Sequence, residues 1–153
     1  MGTAIQTYDA LLFDHEGTLT DFQWNLESAA AEILDLLSQY GIDPDTFGAN
    51  PDYARLFNTT QKMITTWPQD RAQKLINELI PVYDKYDADA LSRWQLYTDT
   101  VSTLEGLFKT GCRMGIVSNC GRIAVDNVLK KFNLTSHFEL IISRNEVTLV
   151  KPH

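Results

Sequence analysis

Three short apolar runs that each end at polar residues constrain the fold of this 153-residue chain more than any other feature. The first occupies residues 9–13 and is followed by Asp14, the second surrounds Ile116, and the third lies at 138–143. Continuous apolar runs of this length are typical of strands that are covered on both faces, as in a parallel sheet. Helical patterns separate the runs, so the sequence predicts an α/β fold with a Rossmann-like parallel-sheet core.

The segment 21–98 differs from the rest of the chain in charge and composition. It holds twelve acidic and six basic residues, whereas the remainder holds eight and seven, and it contains all three tryptophans and five of the six tyrosines. Its apolar residues recur at helical spacing. We therefore expect an inserted all-helical cap at 21–98 and an α/β core formed by residues 1–20 and 99–153.

Four helices are predicted within this cap. The first ends at Gly41, and the second begins with Asn50 as its N-cap and ends before Pro68. A third helix is disturbed near Pro81, and a fourth surrounds Trp94.

Charge and composition also limit the classes of partner and location. Thirteen Lys and Arg against twenty Asp and Glu give a net charge of -7, which opposes binding to nucleic acid. Apolar runs fall short of the roughly 20 residues that a membrane span requires, and the N-terminus resembles no signal peptide. Cys112 and Cys120 are too far apart for a CxxC motif and are expected to be reduced. These features predict a soluble, cytoplasmic protein with no nucleic-acid or membrane partner.

Polar groups at the ends of the predicted strands carry the possible chemistry. Asp14 and Glu16 are suited to nucleophilic and acid/base roles, but the same residues would serve as a turn cap and a solvated carboxylate. Ser118 and Asn119 precede a helix N-terminus that can bind an anion, or they simply cap that helix. Lys151 follows the third strand and, taken alone, is typical of a solvated tail.

Taken in chain order, these segments resemble the motifs of the haloacid dehalogenase-like (HAD) superfamily. The first motif of that family reads DxDGT[LV], and residues 14–19 read Asp-His-Glu-Gly-Thr-Leu. Ser118-Asn119 and Lys151-Pro152 correspond to its second and third motifs. The position of the predicted cap is similar to that in the phosphoglycolate phosphatase and haloacid dehalogenase branch.

The resemblance implies hydrolysis of a small phosphate ester through an aspartyl-phosphate. Asp14 would be the nucleophile, and its carboxylate and the backbone carbonyl of Glu16 would hold Mg²⁺. Glu16 would protonate the leaving oxygen and then activate water, while Lys151 would neutralise charge between the nucleophile and the phosphate. The substrate, a small phosphorylated metabolite, would contact Thr18, Ser118 and Asn119.

The sequence departs from the family pattern at two places, and each departure changes what we expect of its activity or fold. Phosphatases of the family carry Asp where this chain has Glu16, so Glu16→Asp is expected to raise turnover. The family's fourth, acidic motif has no counterpart before His153, so the core is expected to be C-terminally incomplete. The alternative function is therefore a non-catalytic derivative of the fold that acts as a binding or assembly module. An incomplete sheet would expose the 9–13 strand, which predicts a homo-oligomer joined there.

His15 lies between the two carboxylates of the first motif and could control access to the cap. We expect it instead to be a partly exposed turn residue.

Overall fold

The computed structural model describes residues 8–153 of the chain. The three predicted strands are present and form one parallel sheet in the order β1-β2-β3, with β1 at Ala10–Phe13, β2 at Arg113–Val117 and β3 at Leu140–Ile142. The register places Phe13 beside Ile116 and Val117 beside Ile142. Because parallel strands end at the same edge of a sheet, the polar residues that follow β1 and β2 are brought together there.

Helices connect and cover these strands. They are α1 at Leu26–Gln39, α2 at Tyr53–Ile64, α3 at Gln69–Arg93, α4 at Thr100–Lys109 and α5 at Arg122–Lys131. Short 3₁₀ turns occupy Pro44–Phe47, Thr135–His137 and Arg144–Glu146. Helices α1, α2 and α3 all lie between β1 and α4 in sequence, as the predicted all-helical insertion requires, so the predicted fold class is confirmed.

Helix α2 begins later than the sequence suggested. Its N-cap is Asp52, whose Oδ1 accepts a 2.7 Å hydrogen bond from the backbone N–H of Arg55. Asn50 instead has a φ of 52°, outside the helical region. The prediction of Asn50 as N-cap was therefore wrong, because Asp52 is a second residue able to cap the same turn.

The third and fourth predicted helices are one continuous helix, α3, with Pro81 inside it. Leu79 and Tyr83 are completely buried on either side of Pro81, and they belong to one packed face. Packing of this face compensates for the backbone hydrogen bond that the proline removes. Trp94 lies just beyond the helix as its C-cap.

The core runs from the sheet into the helical region. Helix α3 packs against both α1 and α5, so it touches the inserted helices and the core. One face of the sheet is less well covered, since Leu12 of β1 is 65% exposed and Leu140 of β3 is 48% exposed. Among residues 8–153, no helix is long and apolar enough to cross a membrane.

The two connections between the core and the helical insertion lie side by side. Thr20 forms an antiparallel bridge with Leu96, and the N–H of Asp21 donates to the carbonyl of Gln95 at 3.0 Å. The predicted boundaries between cap and core, at residues 21 and 98, fall close to these paired segments. The division into cap and core remains a prediction.

Candidate active site

The loop after β1 presents Asp14 at the carboxyl edge of the sheet. The carbonyl of His15 accepts hydrogen bonds from the N–H groups of Leu19 and Thr20, at 2.9 and 3.1 Å, which closes the loop on itself. Gly17 has a φ of +80°, a conformation that favours glycine. The imidazole of His15 is completely buried, so the expectation of a partly exposed histidine was wrong.

Asp14 and Lys151 form an ion pair at this edge. The Nζ of Lys151 lies 2.6 Å from Oδ1 of Asp14 and donates to the carbonyl of Val117 at 2.7 Å. The same Asp14 oxygen accepts a 2.7 Å hydrogen bond from the N–H of His15. These contacts fix the orientation of the carboxylate at the end of β1 and show that Lys151 is not a solvated tail.

Two asparagine side chains hold the backbone that carries Lys151. Oδ1 of Asn119 accepts from the N–H of Lys151 at 2.9 Å. The carboxamide of Asn58, in α2, bonds both the N–H and the carbonyl of Val150, at 2.8 and 2.9 Å. Asn119 therefore contacts the Lys151 segment in this structure, and Asn58 connects that segment to the helical insertion.

Ser118 directly follows β2, so it lies at the same edge of the parallel sheet as Asp14. Its backbone N–H donates to the carbonyl of Ile142 in β3 at 2.9 Å, and its Oγ accepts from the N–H of Cys120 at 3.1 Å. The side chain is 5% exposed. A buried hydroxyl and nearby backbone N–H groups are suited to binding an anion.

Glu16 is held by three donors that all reach Oε1. The backbone N–H groups of Gln23 and Trp24 donate at 3.0 and 3.1 Å, and the indole Nε1 of Trp94 donates at 2.8 Å. Burial raises the pKa of Glu16 above its usual range, although these hydrogen bonds oppose the shift. The carboxyl is therefore an oriented group rather than a solvated one.

A cavity of about 120 Å³ brings most of the predicted site residues together. Asp14, Glu16, Ser118, Asn119 and Lys151 line it. Its remaining lining residues are Phe22, Trp24, Leu26, Tyr53, Asp87 and Cys120. Thr18 does not line this cavity, and it borders a separate depression formed with residues of α4.

A buried charged cluster behind the cavity was not predicted from the sequence. The guanidinium of Arg144 contacts Asp87 of α3 at 2.9 Å and also contacts Asp84 and the hydroxyl of Tyr53. Oδ2 of Asp87 accepts from the N–H of Gly121 at 2.8 Å. The cluster therefore links two helices of the insertion to the loops after β2 and β3. In the sequence, the feature that could have indicated this cluster is the carboxylate of Asp87, which lies on the apolar face of α3.

Oxygen atoms of Asp14 and Glu16 suit a hard cation, whereas the Asp87 carboxylate, which also lines the cavity, is already paired with Arg144. Within residues 8–153, no backbone N–H donates to the carbonyl of Glu16, so this oxygen is available as a ligand. The described part of the chain contains no cluster of three or more ligating side chains. Mg²⁺ commonly takes one or two carboxylates and completes its shell with water and phosphate oxygens. The donor set therefore fits Mg²⁺ with few protein ligands.

Comparison with known proteins agrees with this arrangement. The sequence profile of the haloacid dehalogenase-like hydrolases matches residues 11–153. A phosphoglycolate phosphatase of Neisseria meningitidis is 28% identical over 159 residues, covering 99% of this chain and 65% of the relative. A phosphoglycolate phosphatase of Neisseria gonorrhoeae shows the same identity and coverage. The chain thus spans slightly less than two thirds of the length of these relatives.

Solved structures show the same fold. A haloacid dehalogenase-like protein from Bacteroides fragilis superimposes with a TM-score of 0.60 at 24% identity, covering 96% of this chain and 68% of that one. A HAD-superfamily hydrolase of subfamily IA from Geobacter sulfurreducens gives 0.51 at 21% identity, covering 96% and 68%. The resemblance noted in the sequence is confirmed, and the chain belongs to the haloacid dehalogenase-like hydrolases.

Proposed function

We propose that the chain hydrolyses a small phosphate monoester through an aspartyl-phosphate formed on Asp14. The observation that carries this proposal is the convergence of Asp14, Glu16, Ser118 and Lys151 on one cavity, with the Lys151 ammonium 2.6 Å from the Asp14 carboxylate. Membership in a hydrolase family and similarity to phosphoglycolate phosphatases support it.

In the first step, a carboxylate oxygen of Asp14 forms a bond to phosphorus as the bond from phosphorus to the ester oxygen breaks. Protonated Glu16 gives its proton to that departing oxygen, and burial favours the protonated form. Ser118 binds the phosphoryl oxygens, and Lys151 reduces the repulsion between them and the Asp14 carboxylate.

In the second step, the Glu16 carboxylate removes a proton from water. The water oxygen then bonds to phosphorus as the bond from phosphorus to the Asp14 oxygen breaks, which releases phosphate and restores both carboxyl groups. Three donors hold Glu16 in place for both proton transfers.

Mg²⁺ is the proposed cofactor, held by the Asp14 carboxylate and the Glu16 carbonyl. When bound to these two residues, Mg²⁺ would neutralise negative charge on the phosphoryl group. Asn119 remains a proposed substrate contact, although it also positions Lys151. Thr18 remains one on its place in the motif alone, since it does not line the cavity. A cytoplasmic location and the exclusion of nucleic acid and membrane remain predictions.

The test measures phosphate release from an aryl phosphate. The unmodified chain is assayed with Mg²⁺ and with EDTA, and two matched variants are assayed with Mg²⁺. We expect EDTA and Asp14→Asn each to abolish release. Asp9→Asn makes the same chemical change at the other end of the same strand and is expected to retain activity. Release that survives both EDTA and Asp14→Asn would reject the proposal, and no release at all would favour the alternative of a binding or assembly module.

A further inference from the structure

Part of the cavity wall is hydrocarbon although two of its residues carry polar atoms. Nε1 of Trp24 donates to Oδ1 of Asp87 at 3.0 Å, and the hydroxyl of Tyr53 donates to the carbonyl of Asn119 at 2.6 Å. Both polar atoms are therefore already bonded to protein, and the two rings, whose centroids lie 4.8 Å apart, remain as cavity surface. Phe22 and Leu26 complete this apolar wall.

Part of the wall is also accessible from solvent. Phe22 is 53% exposed and Leu26 is 42% exposed, while Trp24 is almost fully buried. A substrate whose phosphoryl group lies at Asp14 and Ser118 would place its leaving group within a cavity of about 120 Å³ that these side chains border. Apolar surface of this kind stabilises a ligand by removing hydrocarbon from water.

The charge of the cavity is unfavourable for a second anionic group on the substrate. Lys151 is the one cation among the described residues that line it, and this ammonium already contacts Asp14. Asp14, Glu16 and Asp87 contribute carboxyl groups. The single charge of Arg144, behind the wall, is shared between Asp84 and Asp87.

The first seven residues contain no lysine or arginine side chain. A charged group that enters such a site without a partner loses hydration that nothing replaces. Phosphoglycolate, the molecule in the names of the Neisseria relatives, carries a carboxylate beside its phosphate, and the described residues that line the cavity offer no cationic side chain besides the paired Lys151 to receive it.

On the basis of the phosphatase function proposed above, we propose that the preferred substrate is a phosphate monoester whose leaving group is uncharged and partly apolar. The phosphoryl group lies against Ser118 and Lys151, and the leaving group contacts the rings of Trp24 and Tyr53. Phosphate monoesters that carry a carboxylate or a second phosphate are disfavoured.

Three substrates with alcohol leaving groups separate this inference from the proposed function. They are benzyl phosphate, 2-hydroxyethyl phosphate and 2-phosphoglycolate, compared as kcat/KM for the full chain with Mg²⁺ at constant ionic strength. We expect benzyl phosphate to be hydrolysed fastest and 2-phosphoglycolate slowest, with the two extremes differing by at least about tenfold. Equal or faster hydrolysis of 2-phosphoglycolate overturns the inference and leaves the phosphatase function standing. Hydrolysis of none of the three overturns the phosphatase function, and the inference with it.

A charge added at the rim of the cavity provides a second test. Phe22→Arg places a cation beside the leaving group and is expected to raise the ratio of 2-phosphoglycolate to 2-hydroxyethyl phosphate kcat/KM by about threefold to tenfold. Phe108→Arg adds the same charge at a 57% exposed residue of α4 that does not line the cavity, and it is expected to leave the ratio unchanged. An unchanged ratio in Phe22→Arg, or the same change in both variants, contradicts the inference.

Discussion

The longer side chain of Glu16 reaches three hydrogen-bond donors with a single oxygen. An aspartate at this position is one methylene shorter, and a displacement of about 1 Å can cost about 10²-fold in rate. From the sequence alone, Glu16→Asp was expected to restore the family's usual acid and raise turnover. The donors favour the opposite outcome, because the loop and Trp94 are arranged around a glutamate.

We therefore predict that Glu16→Asp and Glu16→Gln both lower kcat, since the first loses the donors and the second loses the exchangeable proton. The loss in Glu16→Gln should be about 10²- to 10⁴-fold, the usual contribution of a general acid or base. Glu105→Asp, on an exposed face of α4, is the control and should keep full activity. Steady-state turnover of an aryl phosphate measures all three, and a Glu16→Asp variant as fast as the unmodified chain would contradict the prediction.

The burial of His15 predicts that the stability of the folded chain depends on pH. Burial lowers the pKa of His15 from 6.5 to about 4, and its Nδ1 has no hydrogen-bond partner within the described residues. The ring packs edge-on against Trp94, with centroids 4.6 Å apart. As the pH falls below 6.5, the unfolded chain gains a proton on this ring that the folded chain does not accept until about pH 4. The folded state therefore loses stability across this interval.

The predicted loss from this ring between pH 7 and pH 5 is about 2 kcal/mol in the free energy of unfolding. Urea unfolding in EDTA at the two pH values measures it, with His15→Gln as the comparison. The decrease should be smaller by about that amount in His15→Gln. Equal decreases in the two proteins would show that His15 does not titrate as its burial implies.

At the scale of elements, the strands and α1 were predictable because their apolar residues follow one another or repeat at a fixed period. Helix α3 was predicted as two pieces, since Pro81 interrupts the local pattern and the packing that carries the helix past it is not local. Ser118 and Lys151 were predicted as site residues because each belongs to a short motif that can be recognised along the chain, and both line the cavity. Arg144 and Asn58 were missed, because their partners are 57 and 92 residues away in sequence.

The buried ion pairs of Arg144 should stabilise the contact between the insertion and the core. Arg144→Met leaves the almost fully buried Asp87 without its cation, which is expected to lower the free energy of unfolding by about 3–5 kcal/mol. Arg122→Met removes a solvent-exposed arginine from its pairs with Asp126 and Glu146 and should change stability little. Urea unfolding compares the two, and equal losses would mean that the buried cluster contributes no more than a surface pair.

At the scale of the whole molecule, the uncovered face of the sheet is relevant to the predicted association of the chain with copies of itself. Leu12 and Leu140 are exposed on either side of Gly115, and together with Leu11 and Met114 they border a shallow groove. Within the described residues, β1 pairs with β2 alone. The homo-oligomer predicted from the sequence remains a prediction, and this face and strand edge are where it would be joined.

We predict that the 153-residue chain self-associates at micromolar concentration and that Leu12→Glu reduces its molar mass to that of a monomer. Ile123→Glu, which places the same charge at a 75% exposed residue of α5, should leave the association unchanged. Light scattering distinguishes the outcomes. A monomeric unmodified chain would contradict the prediction, as would dissociation by both variants alike.

The most direct test of the central claim is to trap the phosphoryl group on Asp14. The chain is mixed with an aryl phosphate and Mg²⁺, quenched in acid during turnover, and its intact mass and peptide masses are measured. We predict one added phosphoryl group on the peptide that contains Asp14, removable by hydroxylamine as expected for an acyl phosphate, and retained in the Asp9→Asn control. Phosphate release without any covalent phosphoryl group at Asp14, or an adduct that persists in Asp14→Asn, would contradict the account.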